Sequence, residues 1–391
     1  MDKEAKKTKQ EETAPPRKKR GILGGLITLL AVIALALAVV AMTTMRDNEQ
    51  LAALRRWMVY GGSSSTANLY AYASHPDNRY GQMGEELLVV SPNAIQLMKS
   101  DGTSLYDLSV SLENPQLSVG KKQAAVCEVG GNVLYVLDSV GVARTLQADT
   151  GLCFYSARMN GRDYLTVTEQ KNGYKAAVTV YDSEGEELFR FDSYDHYISD
   201  ALVTEDGKSL LTVALAPLDG VFSSMLRCYD ITSGELTGEW SVRDGLILDY
   251  CVTGERMVAL CDTRLVVTDL TGQCLLDRGF DNLYLHEYAI SGADFCALLL
   301  GRYQSGNICQ LTTYDLDGAE IATLEVTEEV LDISAAGSGL AVLYSDSVVI
   351  YDRALTELAR LEDMDYAGQV RMREDGTALV IGAASAWYFL P

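Results

Sequence analysis

The chain has 391 residues, with 32 Lys and Arg against 54 Asp and Glu, a length that calls for two cores or one large repetitive architecture. Residues 1–20 hold 8 of the basic and 4 of the acidic side chains, leaving 24 basic against 50 acidic beyond them. A domain of that charge repels phosphate backbones at long range, and no basic cluster follows the N-terminal tail, so nucleic acid is excluded as a partner.

Residues 1–20, with Pro15-Pro16 among their charges, read as a disordered basic tail. The 25 residues from Gly21 to Met45 carry no charge. At ~1.5 Å per helical residue they exceed the ~30 Å hydrocarbon core of a bilayer. A cleaved signal peptide is the rival reading, since Ala36-Leu37-Ala38 imitates a cleavage site, but such apolar regions usually run about 7–15 residues. We therefore expect one uncleaved transmembrane helix over 21–45, with membrane lipid as its partner. Arg17-Lys18-Lys19-Arg20 abuts its N-terminal side, which keeps the N-terminus cytoplasmic and everything after about residue 45 outside the cytoplasm. Residues 46–67, ending in Gly61-Gly62-Ser63-Ser64-Ser65-Thr66, read as a juxtamembrane linker. The extracytoplasmic domain is then 68–391.

Beyond about residue 85 the chain is a series of short runs rich in Val, Leu, Tyr and Thr, separated by Gly, Asp and Asn, with no long segment of helical period. That is an all-β signature. One turn recurs, at Asp182 with Gly185, Asp230 with Gly234, Asp269 with Gly272, Asp315 with Gly318, and Tyr351-Asp352, with weaker copies at Asp138 with Gly141 and at Lys99-Ser100-Asp101-Gly102. From 99 the steps to 138, 182, 230, 269, 315 and 352 are 39, 44, 48, 39, 46 and 37 residues. This is the period of a propeller blade, ~40–45 residues. Asp and Gly close the turn between the third and fourth strands, Asp by accepting backbone N–H bonds and Gly by tolerating positive φ. The chain stops after 386–390, before its last blade has a fourth strand, and Leu69-Tyr70-Ala71-Tyr72-Ala73 has the composition to supply it. Seven hairpins plus this shared blade predict an eight-bladed β-propeller, with seven blades as the alternative.

Glu86-Leu87-Leu88-Val89-Val90-Ser91, then Ile95, the Asp101-Gly102 turn and Asn114-Pro115 opening the next blade, resemble an uncharacterised family of membrane-anchored bacterial propellers of Gram-positive envelopes, domain of unknown function 5711. The resemblance covers the anchor and most of the propeller. It implies the same architecture and carries no functional residues.

Chemistry is sparse. The three histidines, His75, His196 and His286, sit in no HExxH, HxH or Cys/His arrangement, so no metal site is expected. Asp315-Leu316-Asp317-Gly318 imitates a calcium loop but lacks the Glu six residues after the Gly, where Leu324 stands. No glycine-rich nucleotide loop and no tryptophan repeat is present, so no cofactor is expected. The eight cysteines (127, 153, 228, 251, 261, 274, 296, 309) lie mostly in apolar strand patterns and read as reduced, small hydrophobes. A Cys296–Cys309 bridge across neighbouring strands is the alternative.

Recognition in a propeller falls to its longer loops. On the face that carries second-to-third and fourth-to-first connections, these offer Lys171, Asn172, Tyr174, Tyr194, His196, Tyr197, Phe222, Asp281, Arg302, Tyr303 and Gln304, of the types that protein or glycan sites use. The expected function is a tethered, noncatalytic interaction or scaffold module of the cell envelope, with an envelope protein or cell-wall glycan as partner. A hydrolase or lyase with its site at the central channel is the alternative.

Overall fold

The computed structural model describes residues 65–218, 220–243, 245–364 and 366–391, without the side chains of residues 65–68, 218 and 222. The tail, the 21–45 segment and residues 46–64 of the expected 46–67 linker lie outside the described residues, while residues 65–67 of that linker belong to the first strand of the propeller. Among those described, no helix is long and apolar enough to cross a membrane.

Among the described residues thirty-two strands, β1 to β32 in chain order, form eight four-stranded antiparallel sheets. Blades 1 to 7 are consecutive meanders: β2–β5 over 79–109, β6–β9 over 115–147, β10–β13 over 154–193, β14–β17 over 197–243, β18–β21 over 247–279, β22–β25 over 284–326 and β26–β29 over 330–362. Blade 8 takes β30 (Ala367–Met372), β31 (Ala378–Gly382) and β32 (Ser385–Leu390) from the end of the chain, and β1 (Ser65–Ala71) from its start. The pairing of β1 with β32 runs from Ser65↔Leu390 to Ala71↔Ser385, with one bulge between Ala67 and Leu69. Eight blades, closed by the N-terminal strand, is the arrangement that the truncated last repeat predicts.

The ring follows from how each blade buries its strands. The second strand of a blade reads as unbroken apolar residues because it is covered on both faces, as in β23 (Phe295–Gly301) and β27 (Gly339–Tyr344). Outer strands such as β29 (Glu357–Glu362) alternate between exposed and half-buried residues. The cores lie between blades: Phe295, Leu299 and Leu311 of blade 6 pack on Ile333, Leu340 and Val342 of blade 7, and every other neighbouring pair shares a cluster of its own. At the closure, Tyr70, Leu379 and Tyr388 of blade 8 meet Leu87 and Val89 of blade 1. Each interface buries surface that a lone blade would leave in water, so the hydrophobic effect favours a complete ring.

The recurring turns behave as their residues require. Asp182 Oδ1 accepts the backbone N–H groups of Glu184 and Glu186 at 3.0 and 2.8 Å, and Asp315 Oδ1 those of Asp317 and Ala319 at 3.1 and 2.7 Å. The turn glycine takes φ of 92° at Gly185 and 98° at Gly318. In blade 7 no glycine is available, and Leu355 takes φ of 58° in its place, a strained choice for a side chain with a Cβ.

One segment departs from the sequence reading. Phe222, expected in a long loop, stands in a strand: β15 (Ser209–Leu218) and β16 (Val221–Asp230) continue as a hairpin to Leu218↔Val221. The neighbouring strand β14 (Tyr197–Val203) pairs only as far as Tyr197↔Leu215. Pro217 thus stands where one side of its strand has no ladder to join, which is where proline is tolerated.

All eight cysteines are free. Cys296 pairs with Tyr314 and Cys309 with Gly301, so the two are separated by five steps along the sheet, roughly 16 Å at ~3.3 Å per residue. A disulfide between them is excluded by geometry.

Candidate functional site

Antiparallel strands return each second-to-third and fourth-to-first connection to the same end of its blade. On that face the structure brings together the candidates of blades 3 and 4. Residues 170–175 join β11 (Leu165–Glu169) to β12 (Ala176–Tyr181), and 194–196 join β13 (Glu187–Ser193) to β14. The Lys171 ammonium pairs with the Asp192 carboxylate and lies 4.8 Å from the centroid of the Tyr174 ring. The Tyr194 hydroxyl donates to that of Tyr174 at 2.8 Å, with ring centroids 4.2 Å apart. Lys175 Nζ donates to the Tyr197 hydroxyl at 3.0 Å and sits 4.5 Å from that ring's centroid. Asn172 is exposed beside them.

These contacts hold large aromatic surfaces in water. Tyr194 is 65% and Tyr197 51% exposed, yet each is fixed by a cation–π or hydroxyl contact to its neighbour. His196 is placed differently. Its Nδ1 lies 3.2 Å from Arg227 Nη1, and Arg227 Nε lies 2.7 Å from Glu239. Burial first, and then the Arg227 cation, push its pKa below the usual histidine value. The ring is neutral at pH 7 and accepts from Arg227, which makes it a brace rather than a free base.

Beside Tyr197 is a recess of about 320 Å³, lined by Val129, Tyr155, Tyr197, Ile198 and Ser199. Val129 follows the second strand of blade 2, β7 (Ala124–Glu128), while Tyr155 and Tyr197–Ser199 open the inner strands of blades 3 and 4. The recess therefore spans three blades at the rim of the loop face.

The remaining candidates form a separate group. Arg302, Tyr303 and Gln304 lie in the exposed connection between β23 and β24 (Cys309–Asp315), where Tyr303 is 73% exposed and its carbonyl is 2.9 Å from His286 Nε2. Asp281, with φ of 52°, starts a turn two connections away. Phe222 pairs with Pro217 through its backbone, and its side chain lies outside those described. No hydrogen bond, ion pair or ring contact among the described residues links these to the blade 3 and 4 cluster.

A second polar feature lies at the axis, where inner strands of neighbouring blades pack side by side. A bulge recurs near the start of six of them, and it is followed in each by a polar residue: Ser156, Asp200, Asp249, Glu287, Asp332 and Gln369. Bulges re-aim side chains, and here Ser156, Asp200, Asp249 and Asp332 make contacts that cross between blades. Ser156 Oγ donates to Asp200 Oδ1 at 2.5 Å, and Arg158 Nε lies 3.6 Å from Asp200 Oδ2 and Nη2 3.9 Å from Asp249 Oδ1. Asp332 Oδ2 accepts from Val370 N and Arg371 Nη1, each at 2.8 Å. Four carboxylates on blades 4 to 7 are thus flanked by Arg158 on one side and Arg371 on the other. No group of three or more His, Cys, Asp or Glu among the described residues is placed to hold a metal ion.

A family model described as a family of unknown function (DUF5711) matches residues 62–362. The chain belongs to this family. No curated protein matches it. Among solved structures, BamB from Moraxella catarrhalis superposes with a TM-score of 0.54 at 11% identity, covering 83% of this chain and 98% of that one. The C-terminal WD40 domain of Sif2 gives 0.58 at 14%, covering 85% and 100%. The dihydro-heme d1 dehydrogenase NirN in complex with DHE gives 0.53 at 14%, covering 75% and 67%. At such identities the likeness is one of fold alone, and it places the DUF5711 domain among the β-propellers.

Within the belt, the Glu287 carboxyl is pushed up to about 7, by burial first and then by the negative charge of Asp332, with Arg371 opposing. A carboxyl whose folded pKa is raised binds a proton in the folded state before it does in the unfolded chain. Its contribution is present at acid pH and is lost as pH rises from about 4.5 through about 7. Each tenfold difference in proton affinity between the folded and unfolded chain is worth ~1.4 kcal/mol; allowing for partial exposure, stability is expected to fall by on the order of 2 kcal/mol between about pH 5 and 8. Denaturant midpoints at several pH values check this. Glu287→Gln should flatten the slope, and an unchanged slope in the variant would assign it to other groups.

Sequence reasoning missed Lys175, Asp192, Arg227 and Tyr155, which hold or line the site, and the whole axial belt. The one signal for the belt was a polar residue near the start of the first strand in successive repeats.

Proposed function

We propose that this chain is a membrane-tethered, extracytoplasmic propeller that acts as a noncatalytic interaction module of the cell envelope and engages a protein partner through the loop face of blades 3 and 4. The observation that carries the reading is the pair of exposed tyrosines, Tyr194 and Tyr197, braced by Tyr174 and Lys175 beside an open recess. Immobilised aromatic side chains lose little entropy on binding and are the anchors that interfaces favour. The uncharged 21–45 segment behind a basic cluster supports the tether and its orientation.

A second reading, an enzyme at the axis, draws on the raised carboxyl of Glu287. It is the weaker one, because the neighbouring belt carboxylates Asp200 and Asp332 are occupied by serine, arginine or backbone N–H groups. The fold does not decide between the two, since NirN is a dehydrogenase.

A photo-crosslinking residue at Tyr194 is expected to give one discrete adduct in native membranes. The same probe at Val140, 86% exposed in the turn between the third and fourth strands of blade 2 and so at the opposite end of the strands, should give none. Equal yields from both positions would remove the proposed face.

A further inference from the structure

We propose that the recess between blades 2, 3 and 4 docks an acidic peptide segment of a protein partner: one apolar side chain enters the recess, and the carboxylate next to it pairs with Lys175. This rests on the interaction-module reading and specifies what the module takes.

The recess offers a mostly apolar wall. Val129, Tyr155 and Tyr197 line it, with Ile198 buried in the core of blades 3 and 4 behind them, and the Ser199 hydroxyl is already turned to the Val213 carbonyl at 3.3 Å. At about 320 Å³ it stands at the low end of ligand sites, which run roughly 300–1,000 Å³. That suits one side chain of leucine or phenylalanine size better than a cofactor.

Lys175 supplies the second element. Of the cations around the tyrosines, Lys171 is neutralised by Asp192 and Arg227 by Glu239, and Arg190 lies 3.3 Å from Glu169 and 3.6 Å from Asp192. Lys175 has no carboxylate among the described residues within 4.0 Å; its contacts are the Tyr197 hydroxyl and ring. It is therefore a cation held in place by a residue that lines the recess, with its charge left for a partner. An incoming carboxylate would meet a preorganised ammonium and gain a charge-assisted hydrogen bond.

The acidic balance of the domain opposes an acidic ligand only at long range. With a Debye length of about 8 Å at physiological ionic strength, distant carboxylates are screened, and the contact at Lys175 decides the sign.

The test uses the full-length chain and three dye-labelled hexapeptides, Gly-Gly-Phe-Glu-Gly-Gly and its Phe-Gln and Ala-Glu counterparts, titrated by fluorescence polarisation. The Phe-Glu peptide is expected to bind about tenfold more tightly than either counterpart. Lys175→Met should abolish the difference between the Phe-Glu and Phe-Gln peptides, whatever it does to the affinity that both share through the recess. Val129→Trp, which fills the recess from a partly exposed position, should abolish binding of all three with an unchanged melting midpoint. Equal binding of Phe-Glu and Phe-Gln peptides, or a preference that survives Lys175→Met, would overturn the proposal, as would no binding at all. If the recess proposal fails while the Tyr194 adduct still forms, the interaction-module reading stands without it; loss of that adduct as well removes both.

Discussion

A chain that begins at Tyr72, lacking β1, is expected to melt at least about 10 °C below the intact propeller and to self-associate. Tyr70 is fully buried, with its ring against Tyr388 at 6.1 Å between centroids and its cluster reaching Leu87 and Val89 of blade 1. Removing a buried aromatic side chain alone costs about 3–5 kcal/mol, and a kcal/mol is worth roughly 2–4 °C in a domain of 150–250 residues. Deleting the strand also strips six backbone pairs from β32, leaving an open edge of the kind that recruits strands from other chains. Calorimetry and size-exclusion chromatography read the two effects separately. Tyr70→Ala should reproduce most of the melting shift without the association. Leu69→Ala, at a position 64% exposed on the same strand, should change neither. A truncated chain that melts with the intact one would mean that the ring closes without β1.

The second large effect is expected at Arg158. Its guanidinium lies between Asp200 and Asp249 and also donates to the Tyr250 carbonyl at 3.2 Å. Arg158→Met leaves two inward carboxylates facing each other with no cation between them. Breaking a largely buried ion pair from one side costs about 3–5 kcal/mol, most of it the penalty of the stranded charge. Burial already raises the Asp200 pKa in the intact protein, with Arg158 opposing it; without Arg158 it rises further. A raised folded pKa means that stability returns as pH falls toward the unfolded value, so the loss should be largest at pH 7–8 and shrink by pH 5. Adding Asp200→Asn to Arg158→Met should recover part of the loss at pH 8 and little at pH 5. Urea midpoints for the two variants at both pH values check this, and a loss independent of pH would attribute the effect to packing.

What is legible in the sequence depends on whether the signal is local. The Asp and Gly turns can be read there because an Asp that accepts its own backbone N–H groups, and a Gly at positive φ, require nothing from the rest of the fold. The blade count follows from arithmetic on those turns and from the missing last strand. The extended hairpin at 217–224 reads wrongly as a loop because Pro217 and Gly220 are loop residues by composition, and only the absence of a ladder beyond Leu215 makes Pro217 acceptable in a strand. At the site, residue type and loop position are enough to find Tyr174, Tyr194 and Tyr197. They do not find the braces: Lys175 is the last residue of its loop and is a brace only because Tyr197 comes to it from the next blade, Asp192 stands within β13, and Arg227 lies more than thirty residues from His196 in sequence. The axial belt stays hidden because a bulge interrupts the alternation by which an inward residue is recognised, and an Asp in a strand then reads as solvent-facing.

The closure by β1 also decides where a mechanical load enters the molecule. Any load applied ahead of Ser65 pulls first on this strand, whose pairing with β32 begins at Ser65↔Leu390. Tension along the strand would shear all six pairs together, whereas tension across it would peel them one after another from Ser65. The ring would thus resist pulling in one direction far better than in the other, and its weakest seam would be the one where the load enters.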